Sequence, residues 1–121
     1  MKLYYTSAKV EKLCTDRKTI EKKFRGNKDL IEGIVYRIFQ LESAITLLDI
    51  KRTKNANLHS LEGGRRYELA IDALLGGKRG TWRIIFKQRN GENICDDIYN
   101  DAKYITITEI EILDISDHYK K

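Results

Sequence analysis

The chain has 121 residues, of which 41% are hydrophobic and 34% are charged, and its net charge is +5. A chain of this size is expected to form a single domain over residues 1–121 around one hydrophobic core. The sequence offers neither a run of about 18 apolar residues nor an apolar segment near its start, so we expect no membrane span and no signal peptide, and predict a cytoplasmic protein. Two isolated cysteines argue against a disulfide framework and against a cysteine metal site.

Charge is distributed unevenly along the chain. Residues 1–54 carry 13 Lys and Arg against 7 Asp and Glu, and residues 55–91 carry 7 against 3, whereas residues 92–121 carry 3 against 8. A basic body of this kind suits a polyanionic partner, because clustered cationic side chains displace counterions from phosphates. A merely solvated surface explains the same distribution equally well.

The first half of the chain has the pattern of a strand followed by two helices. Residues 2–6 are rich in β-forming side chains and predict an edge strand. Thr15 predicts the N-cap of a short helix over residues 16–25, which Gly26 would end. From residue 30 to residue 48, apolar side chains recur at spacings of three and four, which predicts a longer helix with one stripe in the core or an interface. The stripe consists of Leu30, Ile31, Ile34, Val35, Ile38, Leu41, Ile45 and Leu48.

The second half has the alternation of strands. Residues 67–73 alternate between apolar and polar side chains, which predicts a half-buried strand. On the next strand Trp82, Ile84 and Phe86 would share one face, and Arg83 would project from the other. An open, polar sheet face is therefore expected to carry this arginine.

The last quarter of the chain is less regular. Residues 92–103 show no clean period and predict a loop or a short helix, and a final strand or pair of strands is predicted from residue 104 to about 115. Short turns between strands favour antiparallel pairing. The predicted fold is thus α+β: a small, antiparallel-rich sheet packed against two N-terminal helices, with its other face open.

Both histidines of the chain lie in segments rich in arginine. Cleavage of RNA without a metal requires a base for the 2′-hydroxyl, a cation at the phosphate and an acid for the leaving oxygen, and His59, Arg83 and His118 are suitable types. Each of these residues also has a purely structural explanation. His59 would be an ordinary surface histidine, and His118 would lie in a frayed terminal segment. Arg83 would pair with a carboxylate such as Glu68 or Glu111.

Three motifs accompany these residues: Leu-His-x-Leu-x-Gly from Leu58, Trp-Arg-Ile from Trp82 and Asp-His-Tyr from Asp117. In this combination the chain resembles the HigB-like branch of the RelE/ParE superfamily, the toxins of type II toxin-antitoxin systems. The likeness is specific over residues 58–90 and 110–119. In the N-terminal half it extends only to a strand followed by two helices.

The resemblance implies a toxin that acts as a ribosome-dependent endoribonuclease, cutting translated mRNA without metal or cofactor. It also implies a cognate, HigA-like helix-turn-helix antitoxin that blocks the enzyme. The implied catalytic residues are His59, Arg83, Asp117, His118 and Tyr119. The basic residues expected to contact RNA are Arg65, Arg66, Lys78, Arg79 and Lys87.

Three departures from the family pattern leave questions open. Ser60 and Glu62 stand where members often have Pro and Lys, so one basic contact is missing unless Arg65 or Arg66 replaces it. The closing motif reads Asp-His-Tyr where many members read Asp-Tyr-His, and neighbouring residues on a strand face opposite sides, so either the histidine or the tyrosine would meet the substrate. The segment of residues 92–103 is longer than the corresponding segment in compact members of the family.

Two other functions fit the same scaffold. ParE-like relatives inhibit DNA gyrase by binding, and in such a toxin the histidines would be incidental. An inert RNA- or ribosome-binding module would use the same basic face and would bind with strong salt dependence without cleaving the strand.

Overall fold

A computed structural model describes residues 1–61, 67–77 and 80–117. Within these residues the strands are β1 (Lys2–Tyr5), β2 (His59–Ser60), β3 (Leu69–Asp72), β4 (Arg83–Gln88) and β5 (Glu109–Ser116). The helices in the same ranges are α1 (Ala8–Thr15), α2 (Arg17–Lys23), α3 (Lys28–Ser43), α4 (Leu47–Lys51) and α5 (Asp101–Tyr104). A membrane-spanning segment would need a longer and more apolar helix than any in the described ranges.

The strands form one mixed sheet in the order β1-β5-β4-β3-β2. The first strand, β1, runs parallel to β5, and every other neighbouring pair is antiparallel. The α+β class is therefore confirmed, with a sheet in which antiparallel pairs predominate. The prediction of two N-terminal helices is wrong, because four helices precede β2.

The described helices cover one face of the sheet; the face away from them, called the open face below, is nevertheless buried at Ala70 and Ile85. The core between the helices and the sheet contains Leu30, Ile34, Ile38, Leu41, Leu69, Ile71, Ile84, Phe86, Ile110 and Ile112, among others. Among the described residues, the open face carries a small apolar cluster of Leu61, Ala70 and Ile85, with Leu113 packed against them. Alternation along the strands places polar side chains around this cluster.

The start of the helical layer differs from the prediction. Ser7, whose side chain accepts a hydrogen bond from the N–H of Val10 at 3.2 Å, caps α1, a helix that the sequence pattern did not predict. Thr15 lies in the last turn of α1, and its hydroxyl donates to the carbonyl of Glu11 at 2.8 Å. Thr15 is therefore not an N-cap, because its hydroxyl is turned back onto its own helix; α2 begins after Asp16.

The predicted long helix is divided into α3 and α4. The side chains of Thr46 and Asp49 form a capping box that starts α4, and the backbone of Ala44 is extended. This reciprocal capping supplies the first N–H groups of α4 with acceptors, so the chain gains little by continuing α3. In the predicted stripe Ile45 is 80% exposed and Val35 is 37% exposed, whereas the other members are buried or half-buried.

The predicted final strand begins only at residue 109, because Tyr104 ends the short helix α5. Lys51 on α4 holds this region: its ammonium donates to the Asp101 carboxylate and to the carbonyl of Ile98 at 3.2 Å, and lies 4.5 Å from the ring centre of Tyr104. The bond from Lys51 lowers the pKa of Asp101. With Ile94 fully buried, residues 92–103 form a segment packed against the body.

Candidate functional site

Arg83 is the first residue of β4 and projects from the open face, as predicted. Its Nε lies 3.1 Å from Oδ1 of Asp72, the residue directly opposite it on β3. Its Nη1 donates to the carbonyl oxygens of Gly80 and Trp82, at 2.8 and 3.0 Å. The Arg83 side chain is 16% exposed, so these contacts hold the guanidinium in one orientation.

The carboxylate that pairs with Arg83 differs from the expected ones. Glu111 accepts from Arg89 at 3.0 Å instead, near the opposite end of the sheet. Asp72 fills the role because the antiparallel register sets it beside Arg83, and cross-strand neighbours of opposite charge attract. The alternating pattern of residues 67–73 marked Asp72 as outward-facing, but the register of the hairpin was needed to pair it with Arg83.

His59 lies on the edge strand β2, opposite Ala70. Ala70, Asp72 and Arg83 share the open face, so His59 belongs to the same surface. The ring Nδ1 is 2.7 Å from the carbonyl oxygen of Asn57, which adopts φ +52°. A carbonyl only accepts hydrogen bonds, so Nδ1 carries the proton and Nε2 carries the lone pair in the neutral ring.

Asp117 follows β5 at the end of the sheet where β4 begins. Its neighbour Ser116 is the direct cross-strand partner of Arg83. Asp117 also lines a groove of about 240 Å³ that opens between this end of the sheet and the first two helices. Trp82 and Lys9 line the same groove. Asp117 thus lies at the same end of the sheet as Arg83, but it lines the groove on the side of Trp82, and Arg83 is not among the residues that line that groove.

The remaining predicted residues divide into two groups. Arg65, Arg66, Lys78, Arg79, His118 and Tyr119 lie outside the described residues. Lys87 is exposed on the open face, four residues beyond Arg83 on β4, which corresponds to roughly 13 Å along the strand.

Metal binding was not expected, and the described residues include no group of three or more His, Cys, Asp or Glu side chains able to hold a metal ion. The arrangement offers organic groups instead. A fixed guanidinium is suited to the charge of a phosphate, and an imidazole with a defined tautomer is suited to proton transfer. The carboxylate of Asp72 partly offsets the charge of Arg83, a feature that the motif residues alone did not indicate.

Comparison with known proteins adds no family to this description. The sequence matches no protein-family model and no curated protein. The likeness to the HigB-like toxins therefore rests on the motif residues of the sequence alone.

Proposed function

We propose that this chain is a type II toxin that cleaves translated mRNA on the ribosome without a metal ion, as its resemblance to the HigB-like toxins implies. The observation that carries the proposal is the placement of Arg83, fixed at one end of the open sheet face. His59 shares that face, and Asp117 follows the residue opposite Arg83. Such a cluster provides the group types needed for metal-free phosphodiester cleavage.

The proposed reaction uses the substrate's own 2′-hydroxyl as nucleophile. The 2′-oxygen attacks the adjacent phosphorus while the bond from phosphorus to the 5′-oxygen breaks, leaving a 2′,3′-cyclic phosphate and a 5′-hydroxyl. His59 takes the 2′-proton, and Arg83 stabilises the charge that builds on the phosphate oxygens. Asp117 lies at the same end of the sheet as Arg83, where it orients an acid or supplies the proton for the 5′-oxygen.

The ion pair with Asp72 has a defined part in this proposal. Because Asp72 and the carbonyls of Gly80 and Trp82 already hold the guanidinium, Arg83 loses little conformational freedom when a phosphate arrives. The ribosome would supply the remaining alignment of the mRNA. Alignment lowers the reaction barrier because the reacting groups are already held in place.

The test is to map mRNA 5′ ends after brief induction of the wild-type chain and its variants. We expect new in-frame ends in translated regions, lowered about 10²- to 10³-fold by Arg83→Ala and about 10²- to 10⁴-fold by His59→Ala. Arg89→Ala is the matched control, because Arg89 is also an ion-paired arginine of the sheet but lies near its other end. Unchanged cleavage by Arg83→Ala would exclude the assigned role.

A loss of folding must be separated from a loss of chemistry. Arg83→Ala leaves the Asp72 carboxylate without its ion-pair partner, so the double variant Arg83→Gln/Asp72→Asn serves as a second test, because it removes both charges and keeps hydrogen-bonding side chains. Wild-type thermal stability with no cleavage is the expected result for this variant. Rapid cleavage of naked RNA by the purified wild-type chain would contradict the requirement for the ribosome.

One observation favours a binding toxin as the second candidate. Asp72 offsets the charge of Arg83, which weakens the attraction of the site for a phosphate. A ParE-like toxin would inhibit DNA gyrase without cleaving RNA, and an inert module would bind RNA or the ribosome only. Growth arrest without new mRNA ends, together with inhibition of supercoiling by the purified protein, would identify the first of these.

The proposal includes a protein partner. A HigA-like helix-turn-helix antitoxin, encoded beside this chain, would neutralise the toxin, and an acidic segment of it would suit the basic surface. Co-expression of the neighbouring gene should restore growth and yield a complex that purifies as one species.

A further inference from the structure

A groove of about 410 Å³ lies between α1 and α2, away from the open sheet face. Four lysines line it, together with Leu13 and Thr19. They are Lys9 and Lys12 from α1 and Lys22 and Lys23 from α2. All four lysines are exposed, and none belongs to the motifs that suggested the enzymatic function.

The fold brings these four ammonium groups together. Lys9 and Lys12 are three residues apart on α1 and therefore share a face, while Lys22 and Lys23 occupy the last turn of α2. Only Asp16 separates the two helices, so α2 returns along α1. Like charges gathered in this way repel each other, which an anionic ligand would relieve.

The nearby carboxylates do not neutralise the groove. In the described ranges no carboxylate lies within ion-pairing distance of the four lysines. Glu21 pairs with Arg17 at 3.6 Å, and Asp16 accepts a hydrogen bond from Thr19 at 2.5 Å. Between residues 8 and 28 the chain carries eight Lys and Arg against three Asp and Glu. The cationic charge of the groove is therefore available to a partner.

The groove continues toward the proposed site. The second groove, of about 240 Å³, shares Lys9, Leu13 and Lys23 with the first and reaches Trp82 and Asp117. A single extended ligand can therefore contact the lysines together with Trp82 and Asp117 at the end of the sheet. Asp114 and Asp117 line only the second groove, where their negative charge repels phosphates. Phosphates are therefore expected to bind beside the lysines, and uncharged groups beside Trp82.

We infer that the lysine groove of α1 and α2 binds the phosphate backbone of RNA next to the cleavage site. RNA alternates charged phosphates with flat apolar bases, which suits four ammonium groups beside the apolar Leu13 and the half-buried indole of Trp82. The inference deepens the proposed function and rests on it for the choice of RNA as the polyanion. The groove is assigned to the mRNA strand that flanks the scissile phosphate, and folded ribosomal RNA is the alternative that the test separates.

The test measures binding of labelled RNA to the full chain without ribosomes, by fluorescence anisotropy over a range of salt concentrations. The variant Lys12→Ala/Lys22→Ala removes one charge from each wall of the groove. The matched control is Lys18→Ala/Lys54→Ala, which removes the same charge from exposed lysines that do not line it. We expect the groove variant to lower the slope of log K against log salt by about 1.4 for single-stranded RNA, and the control to leave it unchanged.

Single-stranded and duplex probes distinguish the two sources of RNA. A loss confined to the single-stranded probe assigns the groove to the mRNA, and a loss confined to the duplex assigns it to folded ribosomal RNA. Equal losses in the groove variant and the control would overturn the inference, because net charge alone would then explain them. Binding of a glutamate-rich peptide, but not of RNA, would overturn it in favour of an acidic protein partner.

Failure of this inference can be told apart from failure of the proposed function. Arg83→Ala should retain RNA binding in the anisotropy assay while losing cleavage in cells. If no cleavage is ever detected but the groove variant still loses RNA binding, the enzymatic proposal fails and the groove assignment stands. If cleavage depends on Arg83 but RNA binding does not depend on the groove lysines, only the groove assignment fails.

Discussion

Arg37 is the most buried charged side chain that the structure describes, with 2% of its surface exposed. It donates to the main-chain carbonyls of Asp72, Asn55 and Leu74 at 2.8, 2.9 and 3.1 Å, and to the side chain of Gln40 at 2.9 Å. Burial lowers the pKa of its guanidinium. Because its acceptors lie before β2 and at the end of β3, Arg37 joins α3 to both segments.

We expect Arg37→Lys to destabilise the protein by about 2–5 kcal/mol. A lysine has one nitrogen on a flexible chain and cannot reach three carbonyls at once, and each buried acceptor left unpaired costs about 1–3 kcal/mol. Urea unfolding should show a lower midpoint at an unchanged slope. Arg25→Lys, at an exposed position, is the control and should change stability little. Equal stability of the two variants would show that Arg37 does not hold these segments.

The sequence contained a signal for Arg37 that the hydrophobic pattern alone did not use. Arg37 is three residues after Ile34 and four before Leu41, so it lies inside the apolar stripe. For Arg83 the strand alternation predicted the correct face. Its partner Asp72 was not predicted, because pairing depends on the hairpin register, which the alternation of a single strand does not define.

The helix α3 packs closely against the residue that follows β3. A Cβ atom added at Gly33 would lie 2.1 Å from the carbonyl oxygen of Ala73. This distance is far below van der Waals contact and involves a backbone atom, which cannot move aside as a flexible side chain does. Gly33 thus permits the approach that lets Arg37, one turn later, reach the carbonyls beyond β3.

Gly33→Ala is expected to destabilise the chain although alanine is the better helix former. Overpacking costs about 1–3 kcal/mol, whereas the gain in helix propensity is at most about 1 kcal/mol. Thermal unfolding should show a melting temperature lower by several degrees. Ser43→Ala, at the exposed end of the same helix, should leave it nearly unchanged. A higher melting temperature for Gly33→Ala would contradict the close contact.

Strands were easier to predict than helix boundaries in this chain. The alternation of residues 67–73 and the Trp-Arg-Ile run correctly predicted β3 and β4. The prediction of a half-buried strand was wrong, because Ala70 and Ile85 on the second face are also fully buried and Tyr67 is exposed. The helix α1 was missed because it contains only three buried side chains, Val10, Leu13 and Cys14, which form too short a pattern. The break between α3 and α4 was missed because local capping by Thr46 and Asp49 outweighs the continuing stripe.

In the sheet the central strands β5, β4 and β3 are paired on both sides, whereas the edge strands β1 and β2 are paired on one side only. In β4 and β5 Ile84, Ile85, Phe86 and Ile112 are fully buried, whereas the edge strand β2 has only two residues. The proposed site therefore combines Arg83 from a central strand with His59 from an edge. In this arrangement the cation, Arg83, is on a firmly held strand, and the proposed base, His59, is on a strand that opens more easily.

Hydrogen exchange should reveal this division. We expect the amides of Ile84, Phe86 and Ile112 to exchange only through global unfolding, and those of β2 to exchange at least about 10²-fold faster through local opening. Exchange followed by NMR or by mass spectrometry of short peptides measures both sets together. Equal protection of β2 and β4 would show that the edge strand is as firmly held as the centre.

The parallel pairing of β1 with β5 limits when the sheet can form during synthesis of the protein. Residues 2–5 bond to residues 109–112, so the first strand to be synthesised waits for one of the last, and β5 must insert between β1 and β4. Contacts this distant in sequence form late and slow folding. A ribosome that makes this chain therefore carries β1 without its partner strand until residues 109–116 have been synthesised, and Arg83 lacks its cross-strand neighbour Ser116 until the same point.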